Sequence, residues 1–212
     1  MKRDISFLKF CWRNYIQPIL DYSSQLWGPS DDGGNLLKLE ILLKSYTARA
    51  KGLVNTHYWD RLKMFGLSSI GRRIERYKII FCHKIIYGQA LNCGLTWSNS
   101  KDKGIVFNLI NYDRYAKGNR LQTLQFIGPR LYNTLPATLR TYDATLSLDE
   151  WKFKLDEFLE NIPDNPVCGA NETGLCNIFN SKQTNSLLRW IPYLGLSGRR
   201  LDVIVPDFTF TL

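Results

Sequence analysis

Few residues in this 212-residue chain are placed to do chemistry. Polymerase or nuclease chemistry needs convergent carboxylates that hold divalent metal ions. The adjacent acidic pair outside any predicted helix is Asp31-Asp32, between Pro29-Ser30 and Gly33-Gly34. That setting marks a turn, where aspartates bond their own backbone. Glu150, Asp156, Glu157 and Glu160 fall on one solvated helix face. Cys168 and Cys176 are separated by seven residues with no histidine near them, and two ligands do not close a tetrahedral zinc site. Of the two histidines, His83 shares a helix face with arginines, so a surface position within reach of phosphate is expected. No serine or cysteine stands in a nucleophile motif, and no glycine-rich loop precedes Lys-Ser or Lys-Thr. Gly118-Asn119-Arg120 suits a plain turn. The residues therefore predict no catalysis by this chain alone, with no cofactor and no metal.

What the chain does carry is localised positive charge. Of the net +9, residues 1–37 contribute nothing, and residues 38–90 hold eleven Lys or Arg against Glu40, Asp60 and Glu75. Residues 91–212 nearly cancel, with thirteen basic against twelve acidic side chains. Such a cluster attracts a polyanion by counterion release, with affinity that falls steeply with salt. The plainer alternative is a solvated face that aids solubility. The candidate phosphate contacts are Arg49, Lys51, Arg61, Lys63, Arg72, Arg73, Arg76, Lys78 and Lys84. Tyr46, Tyr58, Trp59, Tyr77 and Tyr87 are interleaved with them, and aromatic faces stack on unpaired bases. Tyr77 lies on an apolar stripe and is assigned to the core. For Tyr58 and Trp59 both roles stay open.

The elements that must position these side chains are mostly helical. Residues 4–27 space Phe7, Phe10, Cys11, Ile16, Ile19, Leu20, Leu26 and Trp27 with helical periodicity, broken or kinked at Pro18. Residues 28–34 form a loop rich in Gly, Pro and Asp. A helix over 35–51 ends at Gly52, and a short one over 58–65, capped by Thr56, ends at Gly66. Ser68 or Ser69 caps the best-formed helix, which runs to residue 87 before Gly88. Its apolar stripe is Ile70, Ile74, Tyr77, Phe81 and Ile85. Opposite lies a basic ridge of Arg72, Arg76 and His83, with Arg73 at its flank. Residues 92–127 read as loops with one or two short strands, in alternating stretches such as 105–110 and 121–127. A helical unit follows over 129–140, then an amphipathic helix over 148–159 with Trp151, Leu155, Phe158 and Leu159 inward. Residues 161–174 suit a linker, and 203–210 look strand-like.

The fold class is therefore mainly α: a basic helical bundle over 1–90, a small mixed region with short strands and the amphipathic helix over 91–162, and a linker with an irregular tail over 163–212. Hydrophobic content of 44% with 22% charged residues suits a packed core. No apolar run approaches the roughly 20 residues that span a bilayer, and no apolar block marks a secretory leader. No membrane partner is expected. Five scattered cysteines argue against a disulfide scaffold. An intracellular site, nuclear or cytoplasmic, is the expectation.

Several strings are similar to one known family. Tyr15-Ile-Gln-Pro-Ile-Leu-Asp-Tyr-Ser-Ser-Gln-Leu-Trp27, followed by Gly28-Pro29, resembles the segment beyond the polymerase palm of non-LTR (LINE-type) retrotransposon reverse transcriptases of the jockey and CR1 type. Leu39-Glu40, Ser45-Tyr-Thr-Ala-Arg49, Tyr58-Trp-Asp-Arg-Leu-Lys-Met-Phe-Gly-Leu67 and Ser69-Ile-Gly-Arg-Arg-Ile-Glu-Arg-Tyr77 follow in that family's order, as does Lys84-Ile-Ile-Tyr-Gly88. Gly128-Pro-Arg-Leu-Tyr-Asn-Thr-Leu-Pro136 looks like its Trp/Tyr-Asn-Ser-Leu-Pro motif. The stretch from Phe153-Lys154 to Leu159 with Ile162-Pro-Asp-Asn-Pro166 looks like its closing helix, and Asn185-Ser-Leu-Leu-Arg-Trp190 like a C-terminal signature. The likeness covers residues 10–191 and leaves out the tail beyond Pro192.

The resemblance implies the thumb and post-thumb region of an RNA-directed DNA polymerase from a transposable element. Such a region grips an RNA–DNA template–primer duplex, or other RNA or DNA. The family's metal-binding palm aspartates precede the segment matched here, so magnesium would belong to a palm and not to these residues. Its endonuclease precedes the segment too, and the cysteine–histidine knuckle of some relatives is missing. A thumb rests against a palm, so the resemblance also implies bare apolar surface around Ile16, Ile19 or Leu26. Two rival readings stay open. One is a subunit that regains activity beside a separate palm-bearing polypeptide. The other is a retained retrotransposon remnant that acts as a protein-interaction module or has no activity.

Overall fold

The computed structural model describes residues 4–28, 34–109, 123–162 and 187. The turn expected at Asp31-Asp32 lies outside them, as do Gly118-Asn119-Arg120, Cys168 and Cys176. So do the linker from residue 163 onward, the strand-like stretch at 203–210 and, apart from Leu187, the string at 185–190. The described residues are mainly helical.

The chain opens on a rod built from α1 (Ile5–Cys11), a π-helical turn (Trp12–Ile16) and α2 (Gln17–Asp21), followed by a single turn, α3 (Ser24–Trp27). Pro18 sits in the first turn of α2, directly after the π-helical turn. The break expected near it falls later, at Tyr22 and at Ser23, whose φ of 52° is left-handed. The rod's inward row, including Leu8, Trp12 and Ser24, is buried. Its outward row leaves Ile19 74% and Leu26 63% exposed, while Ile16 is half-buried.

α4 (Gly34–Thr47) and α5 (Tyr58–Phe65) pack against the rod and each other. α5 ends at Gly66 with φ 57°, which satisfies its last carbonyls through a left-handed turn. The side chain of Ser69 accepts from the Arg72 N–H at 3.1 Å and caps α6 (Ile70–Ile86). Glu40 ties three helices together: it accepts from the Tyr58 hydroxyl at 2.6 Å and from the Gly71 N–H at the start of α6 at 2.8 Å. A buried carboxylate is favoured there because the helix N-terminus presents unpaired donors.

α6 is the central element. Its first half, through Ile70 and Ile74, joins a cluster with Trp12, Leu43 and Tyr58. Its second half, through Ile79, Ile80, Cys82 and Ile85, joins the largest cluster, with Leu131, Tyr132, Trp151 and Leu155. A third, smaller cluster gathers Leu8, Ala50, Leu53 and Phe65. Tyr77 and Phe81, placed inward by the periodicity, are half-buried.

Beyond α6, β1 (Trp97–Ser100) and β2 (Gly104–Phe107) form an antiparallel hairpin. The strand expected at 121–127 is corrected: residues from Leu124 open α7 (Leu124–Asn133). Leu124, Gly128, Leu131 and Tyr132 are buried at three-and-four spacing, and that period overrides the apparent alternation. A Cβ on Gly128 would lie 2.7 Å from the Cys82 sulfur, so only glycine admits this approach of α7 to α6. The Asn133 carboxamide pairs with both backbone groups of Phe107, each at 2.9 Å, and so finishes the edge of β2. After α8 (Ala137–Arg140), Ser147 and Glu150 form a capping box that starts α9 (Leu148–Glu160). Trp151, Leu155 and Leu159 face inward as expected, and Phe158 packs half-buried against the same core.

Candidate nucleic-acid interface

On the helix expected to carry an outward basic ridge no side chain is fully exposed: Arg72, Lys78 and His83 are buried, and Arg73, Arg76 and Lys84 are half-buried. α6 packs against α3 and α4 along its first half and against α7 along its second, and α9 reaches it through Trp151 and Asp156. Its cations are turned to internal work. Lys78 is 2% exposed and donates from Nζ to the Gly28 carbonyl at 3.1 Å, tying α6 to the end of α3. Arg72 is buried, with Nη1 3.5 Å from the Glu75 carboxylate one turn later. The same carboxylate accepts from the Leu187 N–H at 3.0 and 3.1 Å.

Arg73 and Arg76 reach across to other elements. Arg73 forms a two-pronged ion pair with Asp21 of α2, its Nε donating at 3.2 Å. Tyr77 donates to the same aspartate at 3.1 Å. Arg76 pairs two-pronged with Asp156 of α9, Nη2 to Oδ2 being 2.7 Å. The hydrogen bond to Asp156 raises the Arg76 pKa against the opposing effect of burial. These bidentate pairs fix geometry between elements, and they leave neither guanidinium facing a groove.

His83 is corrected as well. It is 5% exposed and lies flat on the Trp151 ring, with centroids 3.6 Å apart. Burial lowers its pKa to about 4, so it is neutral at physiological pH and offers no charge to phosphate. On α5, Arg61 is buried and cements the 44–61 region. It donates to the carbonyls of Thr56 and Lys44 and to the Thr47 hydroxyl. Tyr58 is buried and Trp59 half-buried, which places both against the core. Tyr87 stacks on Tyr142 at 4.9 Å and exchanges hydrogen bonds with the Asp143 backbone.

Arg49, Lys51 and Lys63 remain exposed. Ala50, between the first two, is buried with Leu8, Leu53 and Phe65, and Phe65 lies two residues beyond Lys63, so the three cations border one small cluster in sequence. Sequence reasoning missed two neighbours there. Arg13 donates to the Gly66 carbonyl at 2.9 Å, and the Lys9 ammonium lies against Gly66. Both sit at the C-terminal end of α5, where the helix dipole favours positive charge. Only the docking of α1 on α5 brings them there, so no local pattern announces them. Lys84 is half-buried and turned toward α9. There Asp149 is held below the usual carboxylate range by its hydrogen bond from Lys152, and in lesser part by the charge of Lys84.

Of the nine predicted phosphate-binding side chains, Arg49, Lys51 and Lys63 are thus exposed, Arg73, Arg76 and Lys84 are half-buried, and Arg61, Arg72 and Lys78 are buried. Among the described residues, no group of three His, Cys, Asp or Glu could hold a metal ion. No described helix is long and apolar enough to cross a membrane. The chain matches no family model, no curated protein and no solved structure.

Proposed function

We propose that this chain is a nucleic-acid-gripping, thumb-like part of a non-LTR retrotransposon RNA-directed DNA polymerase, with a contact surface narrower than its charge pattern suggests. One observation carries the reading: Arg49, Lys51 and Lys63 stay exposed around a single small cluster, with Arg13 and Lys9 beside them. Five cations on segments that meet at this cluster and at Gly66 suit a phosphate backbone, which fixes register and carries no sequence information. The motif order read in the sequence supplies the family, and the mainly helical architecture is compatible with it. Extension of a primer would need carboxylates supplied by a palm.

The test is filter binding of the whole chain to an RNA–DNA hybrid over rising salt. Affinity should fall steeply as salt rises. Reversing Arg49, Lys51 and Lys63 to Glu should weaken binding at least tenfold and lower the salt slope by about one for each phosphate no longer neutralised. These side chains are exposed, so melting should stay where it was. Binding that ignores both salt and the reversals would overturn the proposal. It would favour the rival reading, a retained remnant acting as a protein-interaction module, which draws its support from the inward use of Arg61, Arg72 and Lys78.

A further inference from the structure

The outer side of the N-terminal rod carries a row of large apolar side chains: Phe7, Phe10, Tyr15, Ile19, Tyr22 and Leu26, each between 44% and 79% exposed. Phe10 and Tyr15 are five residues apart, a spacing that an α-helix sends to different sides. The π-helical turn at Trp12–Ile16 absorbs the extra residue, so the two rings meet edge to face with centroids 6.3 Å apart. Inserted π turns of this kind recur at functional sites. Here the turn carries the outward row from Phe10 to Tyr15 and on to Ile19, and Leu26 follows beyond the break at Ser23.

We infer that this row is the interface of a symmetric dimer, occupied by the same row of a second copy. Three observations favour a copy. First, at about 150–250 Å² per large side chain, the row exposes on the order of 800 Å². That exceeds the patches usual on monomers and matches what one partner contributes to a standard interface. Second, the rod is charge-balanced although the chain is strongly basic. Its described charges are Asp4, Lys9, Arg13 and Asp21. Asp21 is paired with Arg73, and Arg13 donates to Gly66. With Asp21 paired and Lys9 and Arg13 engaged at Gly66, a copy meets no net repulsion at contact. Third, the row is near-symmetric about Ile19, with Tyr15 four residues before it and Tyr22 three residues after. An antiparallel copy turned about an axis through Ile19 sets Tyr15 against Tyr22 of the second copy, the self-complementarity that a two-fold interface requires.

The inference does not depend on nucleic-acid binding, and its experiment uses the whole chain without nucleic acid. Sedimentation over a wide concentration range should show a species of twice the 24.6 kDa chain mass. Ile19→Lys should weaken it on the order of thirtyfold, the loss expected of a central hot spot. Leu91→Lys, 91% exposed and off the row, should leave it intact. Circular dichroism confirms that each variant folds. Under mild oxidation, Ile19→Cys should cross-link two chains and Leu91→Cys should not. A wild-type monomer at every concentration overturns the inference and leaves the row to another polypeptide, such as a palm-bearing chain. Open-ended aggregation overturns it equally, as does a dimer that Ile19→Lys leaves at wild-type strength.

Discussion

Two tryptophans show how differently the two ends of α6 are built. Trp151 of α9 is 2% exposed, stacks on His83 and donates from Nε1 to the Leu139 carbonyl at 2.9 Å. Trp27 of α3 makes the same kind of bond, from Nε1 to the Tyr22 carbonyl at 2.6 Å, yet its ring is half in solvent. Around Trp151, aromatics are interior: Tyr132, Phe107 and His83 pack on one another in a single large cluster. Around Trp27, Phe10, Tyr15 and Tyr22 stand outside, while Trp12, Tyr58 and Phe65 are buried in two smaller clusters. In the rod's half the same residue types are therefore divided between small cores and the surface. Depth of packing, rather than composition, separates the two roles, and thinly packed regions open at lower cost.

The widest contrast is expected from removing each ring. Trp151→Ala should cost about 3–5 kcal/mol, because it deletes a buried indole, unstacks His83 and leaves the Leu139 carbonyl without its donor. Trp27→Ala should stay within about 1 kcal/mol, since water already wets much of that ring. Urea unfolding of both variants measures the gap. Equal losses would mean that the two halves share one core.

Acid should act on the same side of the molecule. Burial lowers the His83 pKa to about 4 from an ordinary value of 6.5. The unfolded chain therefore binds the proton first as pH falls, and ∂ΔG/∂pH is positive between those two values. The stability tied to neutral His83 is fully present above pH 6.5 and is lost as pH drops toward 4. It amounts to about 3 kcal/mol. Melting followed across this window should show the decline, and His83→Phe, which keeps a ring on Trp151, should flatten it. A decline unchanged in that variant would assign the acid sensitivity to other groups.

Much of the helical framework is legible in the sequence because its signals are local. Gly66 and Ser69 mark the end of α5 and the start of α6, and the inward row of α9 follows its 3.6-residue period. The role of the cations is not legible. Periodicity tells which side chains share a face of a helix, but not how many neighbours surround that helix. α6 packs against α3 and α4 along its first half and α7 along its second, so the arc bearing Arg72, Arg76 and His83, and Lys78 on a different face, meet protein. The partners that neutralise Arg73 and Arg76 are 52 and 80 positions away, beyond any local pattern. The family resemblance implies bare surface at Ile19 and Leu26, whereas nothing in the sequence implies the π turn that carries the row from Phe10 to Tyr15. Five-residue spacing has no meaning until the helix type is known.

The smallest expected effect sharpens the contrast at the rod itself. Ser23 holds φ 52° between α2 and α3, a left-handed conformation that costs a non-glycine residue roughly 1–2 kcal/mol. Its carbonyl accepts from the N–H groups of Leu26 and Trp27 at 2.9 and 3.3 Å, so the strained residue also starts the next turn. Ser23→Gly removes the steric cost and keeps that carbonyl, while adding some freedom to the unfolded chain. The net gain should be about 0.5–1 kcal/mol. Because the rod packs on the thinner cores, the gain should appear first as slower hydrogen exchange at the Leu26 and Trp27 amides, with little change at Leu155 in the large cluster. Faster exchange at Leu26 in the glycine variant would show that Ser23 is held by its surroundings without strain, and the rod's junction would then be firmer than its exposure implies.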